Sequence, residues 1–148
     1  MVVKVCSICD DVRLEAVQNE IKILKKLEKS VHVANLVEEF IDNDNNKAYL
    51  VLERAGDLSL EQLVEESHQG LTLEQIKTIT KQLCQAVGKL YDNLIVHRDI
   101  KPDNIMLSQS DLVLKLIDFN IAHDLALCSE IKGFCGVRAW SAPETRSF

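Results

Sequence analysis

Apolar positions in the first part of the chain recur with two distinct periods. Residues 2–5 form a short run rich in β-branched side chains, which is typical of a strand. From residue 11 to about residue 29, apolar residues recur every three or four positions, as on one face of an amphipathic helix. The pattern therefore predicts a strand followed by a long helix. The apolar stripe of that helix comprises Leu14, Val17, Ile21, Leu24 and Leu27.

The middle of the chain alternates between strand and helix patterns. Strands are predicted over residues 36–41 and 48–52, joined by a polar loop rich in Asp and Asn. A short acidic helix is predicted over residues 58–66. The sequence from Thr72 to Gln75 has the form of a capping box, which predicts the start of a long helix. One face of that helix carries Ile76, Ile79, Leu83, Val87 and Leu90.

The last third of the chain contains a predicted hairpin and then loses its periodicity. Apolar runs at residues 105–107 and 113–117 flank a turn rich in Ser and Asp. From residue 121 to residue 140 no regular pattern is present, which favours a loop. The mixed order of strands and helices predicts an α+β fold.

Composition restricts the class of protein. The chain has 148 residues, of which 47% are apolar and 27% charged, as expected of one soluble domain. The net charge of −6 argues against nucleic acid as the main partner. No apolar run approaches the length of a membrane span, and no signal-peptide pattern opens the sequence. We therefore expect no membrane partner and a cytoplasmic location, with the nucleus as the alternative.

Five cysteines occur without the spacing of a disulfide framework, so reduced thiols are the expected state. The pair Cys6 and Cys9 has the spacing of half a zinc site, but no second pair of ligands follows it. Structural metal is therefore the less favoured interpretation of this pair.

The chemistry of the chain centres on residues 97–104, which read His-Arg-Asp-Ile-Lys-Pro-Asp-Asn, and on Asp118. Pro102 disfavours helix at the residue before it, so this stretch is predicted to be a loop. Such a loop can direct a carboxylate, a lysine and a carboxamide at one point. Phosphoryl transfer requires this set: a carboxylate for the hydroxyl nucleophile, a cation near the phosphate and oxygen ligands for Mg²⁺. The alternative is a buried salt-bridge loop without catalytic use.

These residues, with Asp118-Phe119-Asn120, resemble the catalytic loop and metal-binding motif of eukaryotic-type protein kinases. The lysine two residues after Asp99 is similar to the serine/threonine branch of that family. The resemblance implies that Asp99 and Lys101 are catalytic. It further implies that Asn104 and Asp118 bind Mg²⁺ and that ATP is the phosphoryl donor.

The same resemblance assigns nucleotide contacts to other elements. Lys4 and Glu20 would form the ion pair that places the α- and β-phosphates, although Lys4 alone also fits an exposed edge-strand lysine and Glu20 a surface pair. Leu52 occupies the gatekeeper position, and the family's hinge follows it. The remaining expected contacts are the backbone of Glu53 and of Ala55 with adenine, Asp57 with ribose, and Met106 beneath adenine.

The resemblance implies a two-lobed kinase-like fold that is incomplete, running from the third strand of the N-lobe through the activation segment. The expected divisions are residues 1–52 as partial N-lobe, 53–57 as hinge and 58–148 as partial C-lobe. The Ala-Pro-Glu sequence that ends at Glu144 is similar to the end of the family's activation segment. The sequence departs from the family in three ways. It has no glycine-rich loop, and the family's further C-lobe helices do not follow the Ala-Pro-Glu sequence. Two motif positions also differ, with Asn120 where glycine is usual and Val137 where threonine is usual.

The expected function is transfer of the ATP γ-phosphoryl group to a serine or threonine hydroxyl of a protein substrate. Without the glycine-rich loop and the later helices, we expect weak activity or none from these 148 residues. The alternatives are a pseudokinase-like binding or scaffolding module and a fragment from a shortened gene model. We also expect association through an exposed apolar surface that includes Leu83, Val87 and Leu90.

Overall fold

A computed structural model describes residues 1–128, 130 and 135–143 of the chain. Its first part is an antiparallel sheet of β1 (Val2–Ser7), β2 (Leu36–Asp42) and β3 (Lys47–Leu52), in the order β1-β3-β2. The three predicted strands are confirmed. Alternate residues of the central strand, Ala48 and Leu50, are fully buried because β3 is covered on one face.

The predicted helix is present as α1 (Asp11–Lys26). The side chain of Asp10 accepts a hydrogen bond from the Arg13 N–H and so caps its first turn. The helix ends three residues earlier than predicted, because Lys29 has a left-handed backbone with φ of 63° that cannot continue a right-handed helix.

The second part of the chain begins with β4 (Leu58–Ser59), α2 (Leu60–Glu66) and α3 (Leu73–Asp92). The predicted helix over residues 58–66 therefore starts two residues late, because Leu58 and Ser59 pair with a later strand. Ser59 instead caps α2 with Gln62 in a capping box. The capping box predicted for the long helix, between Thr72 and Gln75, is confirmed.

Burial along α3 corrects the apolar face predicted for this helix. Ile79, Ala86 and Leu90 are buried, whereas Val87 is 41% exposed. The expectation that Leu90 lies uncovered is wrong, since it is only 2% exposed within the main hydrophobic core. The small residue Ala86, which hydrophobic periodicity did not select, occupies the centre of the buried face. Association through exposed apolar surface stays a prediction.

Short strands carry the polar loops of the second part. The hairpin of β6 (Ile105–Leu107) and β7 (Leu114–Leu116) is confirmed, and β4 adds to it in the order β4-β6-β7. A separate two-stranded sheet pairs β5 (Ile95–Val96) with β8 (His123–Asp124). Strand β8 lies within residues 121–140, where no element was predicted. Two residues of paired strand are too short to produce a periodic signal. The α+β prediction is thus confirmed.

No helix in the described part of the chain is long and apolar enough to cross a membrane. All five cysteines are free thiols. Within residues 1–128, 130 and 135–143, no group of three or more His, Cys, Asp or Glu side chains is arranged to hold a metal ion.

Candidate active site

A cleft of about 410 Å³ lies between the first sheet and the β6–β7 hairpin. Seven of the ten predicted site residues line it. Of the remaining three, Asp99 and Lys101 lie in the loop that follows β5, and Asp57 lines a smaller neighbouring cavity. The lining residues with predicted roles are Lys4, Glu20, Glu53, Ala55, Asn104, Met106 and Asp118.

The Lys4 ammonium lies between two carboxylates in this cleft. Its Nζ is 2.8 and 3.0 Å from the two oxygens of Glu20 and 2.8 Å from Asp118 Oδ1. Burial alone would lower the pKa of Lys4, but the hydrogen bonds with Asp118 and Glu20 outweigh it and raise that pKa. Although Lys4 lies on an edge strand, it is therefore a charged, inward-facing residue. The predicted contact between Lys4 and Glu20 is present.

The loop after β5 brings Asp99, Lys101 and Asn104 together. Lys101 Nζ lies 3.1 Å from Asp99 Oδ2, and this hydrogen bond raises the pKa of Lys101. The side-chain amide of Asn104 donates to the backbone carbonyl and to Oδ2 of Asp99, both at 2.9 Å. A 3₁₀ turn at Pro102–Asn104 produces this return of the chain, with Pro102 at its first position. The Asp99 carboxylate is therefore fixed by its own loop.

His97 supports this loop from behind, a role that sequence reasoning missed. Its ring is 2% exposed and packs on Phe119 with ring centroids 4.6 Å apart. Nε2 lies 3.1 Å from the Ile117 carbonyl, and Nδ1 accepts the Asp99 N–H at 3.3 Å. Burial lowers the pKa of His97, so the neutral ring with the proton on Nε2 matches both contacts. The position of His97 two residues before Asp99 was the available signal.

Two residues of the site have left-handed backbone. Arg98 has φ of 67° and Asp118 has φ of 64°, a conformation that is uncommon for residues other than glycine. The Arg98 Nε donates to the Ile121 carbonyl at 2.6 Å, which ties the loop to the segment after Asp118. Backbone strain of this kind is concentrated at functional sites, where surrounding contacts maintain it.

Gly136 lies directly against the loop. A Cβ atom on this residue would lie 2.3 Å from the Arg98 carbonyl oxygen and 3.4 Å from Asp99 Oδ1. Its φ of +88° also favours glycine. Only a residue without a side chain fits at this position, so the segment around it helps to position Asp99.

The helix that carries Glu20 is attached to the segment after Asp118. Asn19 donates to the Ala122 carbonyl at 3.0 Å, and Lys26 pairs with Asp124 at 3.0 Å. Both contacts join residues about a hundred positions apart in the sequence, which explains why the local pattern did not reveal them. They hold α1 where Glu20 can reach Lys4.

The segment after β3 forms the wall of the cleft opposite this cluster. Glu53, Ala55 and the predicted gatekeeper Leu52 line the cleft. Asp57 does not: it pairs with Arg54 at 3.1 Å, accepts the Gln109 N–H at 3.1 Å and lines a smaller cavity. The structure therefore does not bring Asp57 together with the other predicted nucleotide contacts.

A family model described as "Protein kinase domain" matches residues 1–146, nearly the whole chain. The chain belongs to the protein kinase family. Its α+β fold and the ion pair between Lys4 and Glu20 agree with that membership.

Individual kinases match at moderate identity. The chain is 36% identical over 130 residues to the serine/threonine-protein kinase stk11 homolog of Dictyostelium discoideum, covering 86% of this chain and 21% of that protein. It is 40% identical over 112 residues to cyclin-dependent kinase-like 5 of Mus musculus, covering 76% and 11%. Against the phosphorylase b kinase gamma catalytic chain, liver/testis isoform, of Bos taurus, identity is 30% over 130 residues, covering 88% and 31%. The chain thus spans less than a third of the length of these kinases.

The structure describes two of the positions at which this sequence departs from the kinase pattern. Asn120 stands where glycine is usual, yet it is not among the described residues with positive φ. Asparagine therefore pays no cost of a left-handed backbone at this position. Val137 follows Gly136 and is partly exposed. Glu144, the end of the Ala-Pro-Glu sequence, lies outside the described residues.

Proposed function

We propose that this chain is the nucleotide-binding and catalytic part of a protein serine/threonine kinase. The reaction is transfer of the ATP γ-phosphoryl group to a hydroxyl of a protein substrate. The observation that carries the proposal is the position of Lys4 Nζ, 2.8 Å from both Glu20 and Asp118, in the same cleft as the Asp99 loop. The names of the related kinases support the serine/threonine class.

Asp99 is the residue that orients the substrate hydroxyl and accepts its proton. Its carboxylate is held by Asn104 and Lys101, which leaves Oδ1 as the oxygen without a share in those two contacts. Lys101 also brings a positive charge to the place where charge develops on the transferred group. Positioning and electrostatics supply most of the catalysis of phosphoryl transfer, so the fixed carboxylate is the important feature.

Lys4 is the cation for the α- and β-phosphates, and Glu20 keeps its ammonium in place. Glu20 is buried at the packed face of α1, so its carboxylate has little freedom to move. A triphosphate that enters the cleft would meet Lys4 in a position already determined by Glu20. This preorganisation lowers the entropy cost of binding.

Mg²⁺ fits the donor set on the floor of the cleft. The Asn104 amide nitrogen makes both of its hydrogen bonds to Asp99, so its oxygen is the atom that can ligate a cation. Together with the Asp118 carboxylate it gives the oxygen ligands that Mg²⁺ prefers. Bound by Asn104 and Asp118, the ion would neutralise charge on the phosphates.

Adenine would occupy the opposite wall. The Glu53 N–H already donates to the Asn35 carbonyl at 3.0 Å, so a contact from Glu53 to the base would use its carbonyl oxygen. The backbone of Ala55 would supply the second contact, and Met106 would pack beneath the ring. Ribose would lie toward Asp57 only if that side chain left Arg54.

Free cysteines support a reducing compartment, the cytoplasm or the nucleus.

Calorimetry with ATP and Mg²⁺ tests the nucleotide site. We expect the Lys4→Met variant to bind about ten- to a hundredfold more weakly, because two carboxylates lose their cation. Lys22→Met is the matched control, since Lys22 is exposed on α1 and should leave affinity unchanged. Equal binding by all three proteins would overturn the assignment of Lys4.

Transfer of the labelled γ-phosphoryl group to mixed serine and threonine peptides tests the chemistry. Any transfer by the wild type should fall to background in Asp99→Ala, while Asp103→Ala, on the exposed neighbour in the same loop, should retain most of it. Binding of ATP without transfer in any protein would match the weak activity or none that is expected of these 148 residues. Transfer that survives Asp99→Ala would contradict the role of Asp99.

A further inference from the structure

Behind the cleft, three hydrogen-bond donors meet on one carboxylate oxygen. Glu53 Oε1 accepts from the Asn35 N–H at 2.7 Å, from the Asn35 side-chain amide at 2.7 Å and from Lys115 Nζ at 2.8 Å. None of these side-chain contacts has a part in the reaction described above. We call Asn35, Glu53 and Lys115 the rear triad.

The rear triad joins three segments that are distant in the sequence. Asn35 lies between α1 and β2, Glu53 follows β3, and Lys115 is in the middle of β7. The first and third segments also share backbone hydrogen bonds, from the Ala34 N–H to the Leu116 carbonyl and from the Leu116 N–H to the His32 carbonyl, both 2.9 Å. The first sheet is thereby tied to the β6–β7 hairpin at the back of the cleft.

The charge of the rear triad is balanced and partly shielded from solvent. The side chain of Lys115 is 16% exposed and that of Glu53 is 30% exposed. Burial alone would raise the pKa of Glu53, but hydrogen bonds from Lys115 and Asn35 outweigh it and lower that pKa. The carboxylate is therefore ionised near neutral pH, and salt screens such a partly buried pair less than a surface pair.

Residues 53–56 are held at both ends by this arrangement. At one end the Glu53 side chain is held by the rear triad. At the other, a Cβ on Gly56 would lie 2.6 Å from the Leu107 carbonyl oxygen, and the Asp57 N–H donates to that same oxygen at 2.9 Å. Glu53 and Ala55 line the cleft between these two anchors. A segment fixed in this way presents its backbone groups in one arrangement.

We propose that Asn35 and Lys115 are positioning residues that hold the backbone of residues 53–56 ready for the purine base, acting through the Glu53 carboxylate. This proposal rests on the proposed function, because it assigns a specific duty to the wall of the same nucleotide site. Neither Asn35 nor Lys115 lines the cleft, so both act without touching the nucleotide.

The test compares Lys115→Met with Lys115→Arg, and uses Lys81→Met, on the exposed face of α3, as the matched control. Calorimetry with ATP and Mg²⁺ should show about tenfold weaker binding for Lys115→Met. Recovery to within about threefold of wild type is expected for Lys115→Arg, which keeps the charge. A Lys115→Met variant with wild-type affinity would overturn the proposal.

A second measurement reports on the rear triad without nucleotide. The Asn35 N–H donates to the Glu53 side chain, so its hydrogen exchange by NMR follows the triad directly. Exchange should accelerate by about tenfold or more in Lys115→Met and remain near wild type in Lys115→Arg. Unchanged exchange together with lost affinity would show that Lys115 acts in another way, which would also overturn the proposal.

These arms separate this proposal from the proposed function. If wild type fails to bind ATP, the proposed function fails, and the exchange of the Asn35 N–H still shows whether the triad orders the wall. If Lys115→Met does not fold, Asn35→Ala replaces it, because it removes one donor while keeping the ion pair. We expect about threefold weaker binding for Asn35→Ala, and wild-type affinity would count against the proposal.

Discussion

Lysines at the front and at the rear of the cleft pair with carboxylates, but the balance of charge differs between the two groups. At the front, Lys4 and Lys101 face three carboxylates, those of Glu20, Asp99 and Asp118. At the rear, Lys115 faces the single carboxylate of Glu53. The front cluster thus carries one negative charge in excess, and the rear triad carries none.

The difference indicates that the front cluster binds ligand and that the rear triad supports the fold. A balanced, hydrogen-bonded ion pair is satisfied by the protein alone, so it contributes to stability and geometry. An excess of carboxylate in a cleft is neutralised only when a further cation binds. The oxygen ligands of Asn104 and Asp118 suit Mg²⁺. We therefore expect removal of a front charge to change ligand binding most and removal of a rear charge to change stability most.

The largest expected effect is that of Gly136→Ala, which should damage the front and spare the rear. The added methyl group would overlap the Arg98 carbonyl oxygen at 2.3 Å in a left-handed backbone. We expect the free energy of unfolding to fall by about 3 kcal/mol, measured by urea denaturation.

Gly70→Ala is the control for this substitution. Gly70 also has positive φ, but nothing lies within 4 Å of its missing side chain. Its cost should be limited to the conformational part, about 1–2 kcal/mol. If the two variants lose equal stability, the close approach of Gly136 to the loop is not what matters.

The second prediction contrasts Glu53→Gln with Glu20→Gln. The rear change leaves the partly buried Lys115 without its counter-charge, and we expect a loss of about 2 kcal/mol in the free energy of unfolding. The front change removes a carboxylate from a cluster that has one in excess. It should cost less than about 1 kcal/mol in stability while weakening ATP binding by about tenfold. Thermal unfolding and calorimetry on both variants measure the contrast, and a larger stability loss for Glu20→Gln would reverse it.

The third prediction concerns pH. The pKa of His97 is lowered by burial, so the unfolded chain binds a proton at His97 before the folded chain does. Stability should therefore fall as the pH decreases below 6.5, the ordinary value for histidine. The pKa of Glu53 is lowered too, so the rear ion pair contributes stability above pH 4.5 and loses it only as the pH falls through its folded pKa. As the pH falls, the contribution of His97 to stability should therefore be lost before that of the rear ion pair.

Urea denaturation between pH 7.5 and pH 5, a window of about two to three units around the histidine pKa, distinguishes these effects. In His97→Gln the decrease in stability below pH 6.5 should be smaller than in wild type. The exchange protection of the Asn35 N–H should persist across this window. An identical pH profile in the variant would show that His97 is not the titrating group.

Sequence alone predicted the three strands of the first sheet, the β6–β7 hairpin, the two long helices and the Asp99 loop. Those features are encoded locally, by hydrophobic period, by the capping box at Thr72 and by the dense motif from His97 to Asn104. The contact between Lys4 and Glu20 followed from the family resemblance. Lys4 as an inward-facing residue could not be derived from the strand pattern, which also fits an exposed lysine.

The rear triad was not predictable in the same way. Asn35 and Lys115 are 80 positions apart, and each is an ordinary polar residue in its local context. The burial of Leu90 was also mispredicted, because the core that covers it comes from other parts of the chain. Asp57 was assigned by position alone, and its side chain instead faces Arg54. Contacts between residues that are far apart in the sequence produce no local sequence pattern from which they could be predicted.

The central claim is that the excess charge at the front requires a divalent cation and that the rear charge does not. Calorimetry of ATP binding with Mg²⁺ and with a chelator, on wild type, Asp118→Asn and Glu53→Gln, tests it most directly. Wild type should bind at least about tenfold more tightly with Mg²⁺, and Glu53→Gln should bind more weakly overall but keep that dependence. In Asp118→Asn the dependence should shrink to less than about threefold. Indifference of the wild type to Mg²⁺, or loss of the dependence in Glu53→Gln as complete as in Asp118→Asn, would contradict the claim.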